Sequence, residues 1–255
     1  MTVFGYTMSM LAEERNNDPK PYFFSVIIPA HNEEKYIGTT LKHIKNLTYP
    51  REFFETLVVE NGSNDRTYEV AKKFDDKNIR TMSVALKGVS KAKNFALGVI
   101  CANSDWIVYL DADTHLKSSF LDDLAEFLRK NEKRNFAIGT TAVQPIENKK
   151  LYARLWFYLY NWGHKATNTS YAIQIARASL KNKARFDEGI TLAEDLKYIK
   201  DLLPYGNFFY FNTDTVATST RRFDAVGWNL QFVKWNWDAL MFKLFKKAPE
   251  YPVIR

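Results

Sequence analysis

Apolar positions follow two rhythms along this chain. Phe23 to Ile28, Thr56 to Val59 and Trp106 to Leu110 are short, nearly continuous apolar runs, the pattern of strands covered on both faces in a parallel sheet. Between them the spacing becomes helical. Ile37, Leu41 and Ile44 mark a helix over Glu33 to Leu47, with Glu33 and Glu34 in its first turn, and further helices are predicted over about Asp65 to Phe74 and Ser90 to Cys101. Strands alternating with helices predict an α/β fold, a doubly wound and mostly parallel sheet flanked by helices. Ligands of such sheets lie beyond the C-terminal strand ends, where Ala30 to Glu33, Glu60 to Ser63 and Asp111 to Asp113 all fall.

The periodicity also divides the chain. Residues 1–21 are polar and irregular and read as a flexible arm, 22–225 as one folded domain, and 226–255 as an amphipathic aromatic and basic helix. Within the domain, Leu192, Leu196, Ile199 and Leu203 mark the buried face of a helix, and Thr215 to Thr218 a strand. That strand leads to Arg221-Arg222-Phe223, before the last helix. Leu151 to Trp162 is apolar nearly all round, interrupted by Arg154 and Asn161, and reads either as a buried helix or as a lip for a lipid-linked acceptor. Over 228–247 there are two apolar stripes. Trp228, Phe232, Trp235, Ala239 and Phe242 form one; Leu230, Val233, Trp237, Leu240, Met241 and Leu244 lie nearly opposite. The second stripe needs a cover: an anionic membrane surface, a homodimer contact, or docking onto the domain.

Composition narrows the class. At 46% hydrophobic and 25% charged, the 255 residues are globular. The net charge of +7 suits an anionic partner, phosphates or an acidic membrane, but it is dispersed and no recognition module appears, so nucleic acid is not expected. The single cysteine, Cys101, excludes an intrachain disulfide and fits a cytoplasmic setting, with peripheral attachment to the inner face of the cell membrane as an extension. No apolar run approaches the roughly 20 residues of a membrane span, and the N-terminus lacks a signal segment.

Asp111-Ala112-Asp113 carries the sharpest chemistry. Two carboxylates at the end of an apolar strand can hold a hard divalent cation, manganese or magnesium, together with a sugar hydroxyl, which equips a chain to handle a nucleotide diphosphate. An acidic turn is the plain alternative. Ser25-Val-Ile-Ile-Pro-Ala-His-Asn-Glu-Glu34, Val58-Val-Glu-Asn-Gly-Ser-Asn-Asp-Arg-Thr67, Gly88-Val-Ser-Lys-Ala-Lys-Asn94 and Asp111-Ala-Asp113, followed by Phe186-Asp-Glu188 and Glu194-Asp195, together resemble the ordered motifs of family 2 glycosyltransferases with the Rossmann-like GT-A fold. The resemblance runs over roughly residues 23 to 225. It departs where the usual Asp-Asp is Glu60-Asn61 and where an expected arginine is Lys93.

The resemblance implies a metal-dependent, inverting hexosyltransferase that uses a nucleotide-diphosphate sugar. Asp113 would ligate the metal, and Asp111 would reach the donor ribose or the metal through water. Pro29, Ala30, Asn32, Glu33, Glu60 and Asn61 would contact the nucleoside, with Glu60 accepting from a uracil or guanine ring nitrogen. Lys93 would face the phosphates, Asn94 would add a hydrogen bond, Ala112 would line the donor, and Arg222 would clamp the diphosphate. Asp195 would be the general base toward a glycan or lipid-linked acceptor. Plainer roles compete: Glu33 can complement a helix dipole, Asn61-Gly62 and Asp65 can serve as turn and cap, Lys93 can be solvated, and Arg221-Arg222 can be a basic turn. His31, His43, His115 and His164 share no metal spacing. A polyprenyl-phosphate sugar transferase and a non-catalytic nucleotide-sugar-binding scaffold are the rival functions.

Overall fold

The structure is a computed structural model and describes residues 20–85, 87–147, 150–170, 172–190 and 193–228. The expected arm therefore lies almost wholly outside the described residues, as does the C-terminal helix beyond Trp228.

Seven strands form the main sheet. β1 (Phe24–Ala30), β2 (Phe54–Asn61), β3 (Ile79–Val84) and β4 (Trp106–Leu110) run parallel in the order β3-β2-β1-β4. β8 (Ile173–Arg177) lies antiparallel beside β4, and β6 (Phe136–Thr141) and β9 (Asn207–Phe211) complete the edge. A smaller sheet joins β5 (Thr114–Leu116), β10 (Val216–Thr218) and β7 (Gln144–Pro145) in the order β5-β10-β7. The helices are α1 (Ile37–Lys45), α2 (Thr67–Lys72), α3 (Val89–Leu97), α4 (Phe120–Lys130), α5 (Leu151–Thr167), α6 (Glu194–Leu202) and α7 (Arg221–Val226).

β1 is buried at all of its positions, so its two faces feed two cores. Phe24, Val26, Ile28 and Ala30 pack with Ile37, Leu41 and Ile44 of α1 and with Phe120, Leu121, Leu124 and Leu128 of α4. Ile27, with Leu57, Val59 and Tyr109, packs against Ala92 and Ala96 of α3 and Ile199 and Leu202 of α6. Each fully buried Leu, Ile or Phe of these layers adds about 1.5–3 kcal/mol, so the alternating side chains of one strand fix helices on both sides.

The helices are shorter than their periodicity suggests. α1 begins at Ile37, because Asn32 takes a left-handed φ of 56° and the loop after it is pinned elsewhere. Asn32 N–H donates to Ser63 Oγ at 3.0 Å, Glu33 N–H to Thr67 Oγ1 at 2.7 Å and Glu34 N–H to Asp65 Oδ2 at 3.2 Å. Glu33 and Glu34 thus precede the helix. The expected domain boundary at residue 225 falls inside α7, whose Phe223 packs with Trp228 against Trp156 and Phe157 of α5. Of the two readings for Leu151 to Trp162, the fully buried helix is wrong: α5 buries Ala153 and Phe157 and exposes much of its apolar length.

Candidate active site

Three parallel strands end together. β1 closes on Pro29 and Ala30 with Ala30 in register with Glu60, β2 closes on Asn61, and β4 delivers Asp111 to Asp113. Ala112 is buried, and its carbonyl accepts from Thr40 Oγ1 of α1 at 2.7 Å, which fixes the backbone between the two aspartates.

The turn after β2 consumes much of its own polarity. Gly62, at φ +75°, lets the chain double back. Glu60 Oε1 then accepts from Ser63 N–H and Oε2 from Ser83 Oγ, each at 2.5 Å. Burial alone would raise the Glu60 pKa, but these hydrogen bonds outweigh it and hold the carboxyl below its ordinary value. The expected contact to a base ring nitrogen thus falls on a carboxylate already closing a turn. Asn61 is similarly occupied, its amide lying between Ala30 O at 2.8 Å and Gly88 N at 3.2 Å.

A three-member charge cluster forms beside the aspartates. β5 pairs Thr114 with Thr218 of β10, which brings Ser219 to Arg221 alongside Asp113. Glu147 accepts from Ser219 Oγ and Thr220 N–H, at 2.7 and 2.6 Å, and fixes the start of α7. Arg221 then donates from Nη1 and Nη2 to the two Glu33 oxygens at 2.9 and 2.6 Å, reaches Asp113 Oδ2 at 3.0 Å and lies over the Tyr36 ring. Burial opposes the charge on this guanidinium, yet Glu33 and Asp113 prevail and raise its pKa. Sequence favoured Arg222; its backbone is the second residue of α7, and its side chain is outside the described residues.

A second cluster lies within electrostatic reach of Asp111. Lys93 is buried on α3 and donates to Asp195 Oδ1 at 2.5 Å, with Glu194 Oε1 at 3.9 Å and the Phe186 ring 4.6 Å below its ammonium. Burial alone pushes the Lys93 pKa down, but Asp195, Glu194 and Asp111 overcome it and raise it. The lysine expected at the phosphates is thus paired with the candidate base. Phe186 stacks on Tyr198 at 4.0 Å, Tyr198 meets the Tyr109 hydroxyl at 3.0 Å, and Gln174 Nε2 donates to the Asp195 carbonyl at 3.2 Å. Ala193, just before Glu194, sits at φ 64°, a left-handed conformation costing a non-glycine residue about 1–2 kcal/mol. Asn94 is likewise engaged within the protein: its Nδ2 donates to Phe186 O at 2.8 Å and Glu188 Oε1 at 2.9 Å, and its Oδ1 accepts from Phe186 N–H at 3.0 Å.

Gln174 is the residue that the sequence did not single out, and Arg221 was read only as one of a pair with Arg222. Neither spacing nor the arginine pair reveals which side chain turns inward. Nor does spacing show that His43 and His115 stack, their rings 4.5 Å apart.

The sequence profile of glycosyl transferase family 2 matches residues 25–188. The chain belongs to that family. A *Methanococcus voltae* relative is 25% identical over 212 residues, spanning 77% of this chain and 66% of its own: the dolichyl N-acetyl-alpha-D-glucosaminyl phosphate 3-beta-D-2,3-diacetamido-2,3-dideoxy-beta-D-glucuronosyltransferase. The first curated relatives are matched over only 18–66% of their own lengths. The crystal structure of *S. aureus* TarS 1–349 with UDP-GlcNAc aligns at TM-score 0.63 and 21% identity, covering 78% of this chain and 59% of that one. The mannosyltransferase PcManGT from *Pyrobaculum calidifontis*, in complex with GDP-Man and Mn2+, aligns at 0.59 and 18%, covering 96% and 74%. The fold is GT-A.

Proposed function

We propose that this chain transfers a sugar, with inversion, from a nucleotide-diphosphate donor to a hydroxyl of a lipid-linked or glycan acceptor, assisted by manganese or magnesium. The observation that carries the reading is the pairing of Lys93 with Asp195 within electrostatic reach of Asp111, inside a family 2 chain.

The residues suit such a metal. Among the described residues no group of three His, Cys, Asp or Glu side chains is set to hold an ion, and a hard cation that keeps waters and takes phosphate oxygens needs only one or two carboxylates. Asp113 already draws a cationic group, the Arg221 guanidinium. When bound, the metal would neutralise the departing diphosphate. Asp113 and Asp111 would hold it, and Arg221 would be shared between Glu33, Asp113 and the incoming phosphates.

Asp195 takes the acceptor proton, work worth about 10²–10⁴ in rate for a positioned base. Its carboxylate is oriented by Lys93 at one oxygen and by Gln174 through its backbone carbonyl. The lipid-linked acceptor is supported by the dolichyl-linked substrate in the *M. voltae* relative's name, and the donor class by UDP-GlcNAc and GDP-Man in the structural neighbours.

Thermal unfolding with UDP, GDP and their sugars, each with manganese or magnesium, tests the donor side: metal-dependent stabilisation by one diphosphate is expected. Asp195→Asn tests the base. Turnover should fall at least about 10²-fold; full turnover would favour transfer to a polyprenyl phosphate, which needs no base. Metal-dependent nucleotide binding without turnover on any acceptor would favour a scaffold.

A further inference from the structure

Helix α5 carries an apolar stripe into solvent. Leu151, Leu155, Tyr158, Leu159 and Trp162 recur at helical spacing on one side, each more than half exposed and Leu151 82% exposed. The other side packs: Ala153 and Phe157 are buried, and Trp156 meets Phe223 and Trp228 at 4.6 and 5.8 Å between ring centres. A contiguous aromatic and aliphatic surface of this kind on a folded chain marks a contact site.

Charge indicates what covers it. Arg154 and Lys165 are exposed on one margin of the stripe, and α5 has no Asp or Glu. A second copy is a poor occupant, because two-fold pairing along the stripe would set Arg154 and Lys165 against their equivalents with no carboxylate on the helix to offset them. An anionic bilayer surface fits both features. Tyr and Trp rings suit the headgroup level, leucines the acyl boundary, and basic side chains the lipid phosphates. Among the described residues no helix is long and apolar enough to cross a membrane, so the contact would lie in the interface plane. The aromatic and basic sequence 229–255, with Trp235, Trp237, Lys246 and Lys247, continues directly from Trp228 on the inner side of the same helix.

We propose that α5 is an interfacial helix that seats this protein on anionic membrane through Leu151, Leu155, Tyr158, Leu159 and Trp162. Phe157 touches Phe223, two residues beyond the arginine bound to Asp113, so the bilayer would lie one helix away from the cleft. Only the corollary, an acceptor entering from the lipid side, rests on the proposed function.

Vesicle flotation tests it. The full-length chain should float with phosphatidylcholine–phosphatidylglycerol vesicles, less with phosphatidylcholine alone, and less as salt rises. Leu155→Glu/Trp162→Glu should lower partitioning at least about tenfold, and Arg154→Glu/Lys165→Glu should abolish the preference for phosphatidylglycerol. Cooperative circular-dichroism melts, measured on every variant, confirm an intact fold. Three results would overturn the proposal: no flotation of the unmodified chain, equal flotation of the Leu155→Glu/Trp162→Glu variant, or a dimer in sedimentation equilibrium that this variant splits. Absent nucleotide shifts in a chain that floats would count against the donor reading alone.

Discussion

Arg221 joins Glu33 to Asp113: one guanidinium nitrogen lies 2.6 Å from a Glu33 oxygen and 3.0 Å from Asp113 Oδ2. The loop after β1 and the acidic segment after β4 therefore share a counter-charge supplied by α7, and any cation reaching Asp113 meets a site already partly neutralised. Arg221→Ala leaves the carboxylates without that charge. Losing a largely buried partner costs about 2–4 kcal/mol, readable as a lowered urea midpoint. In calorimetric titration without nucleotide, the variant should bind Mn2+ about tenfold more tightly, since Asp113 is no longer shared. Unchanged metal affinity would mean that the guanidinium does not compete.

Lys93 and Asp195 form the second pair, and here removal of the cation strands a buried carboxylate. Lys93→Met should destabilise by about 3–5 kcal/mol and cut turnover to the level of Asp195→Asn, whereas Lys93→Arg, which keeps the charge, should retain much of both. The pH dependence has a definite sign. The folded-state value of Lys93 is raised, so its stabilisation is complete below the ordinary 10.5 and is lost as pH rises through the folded value. The stability gap between the unmodified chain and Lys93→Met should therefore be flat from neutral pH to about 10 and shrink above it.

Glu60 predicts behaviour at the acid end. Its folded value lies below the ordinary 4.5 despite burial, so the turn it closes is stabilised above that value and loses the contribution as pH falls through the folded one. Glu60→Gln should cost about 1–2 kcal/mol at pH 7, with the difference from the unmodified chain vanishing in acid. A large loss of nucleotide affinity with unchanged stability would instead restore the base-reading role expected from the sequence.

The parallel half of the sheet was legible because strands covered on both faces are written as continuous apolar runs: β1, β2 and β4 appear at or near their observed places. β3 was not, since Ile79-Arg-Thr-Met-Ser-Val84 mixes polar and apolar residues as an edge strand does. The reversal at β8 and the pairing of β6 with β9 depend on long-range register, which periodicity does not encode. The same limit applies in the cleft. The order of motifs named loops that the parallel strands do bring to one edge, but Lys93 turning to Asp195, Asn94 to Phe186 and Arg221 to Asp113 are choices of side-chain partner, settled by which helix packs over which strand.

Asn94→Ala removes three hydrogen bonds that no solvent replaces at a buried position. About 2–3 kcal/mol of stability should go with them, and KM for the acceptor should rise several-fold while KM for the donor moves less. Equal rises in both would show that the loop carrying Phe186 serves the two substrates alike.

That asparagine makes α3 and the stem of the Phe186–Glu188 loop a single mechanical part. Under the proposed reaction, α3 would stand on the side of the departing nucleotide and the Phe186–Glu188 stem on the side of the incoming hydroxyl, so a shift of one would be passed to the other. Tolerance for new acceptors would then have to arise farther out along the loop, beyond its fastened root, where a change of side chain alters what enters without disturbing what leaves.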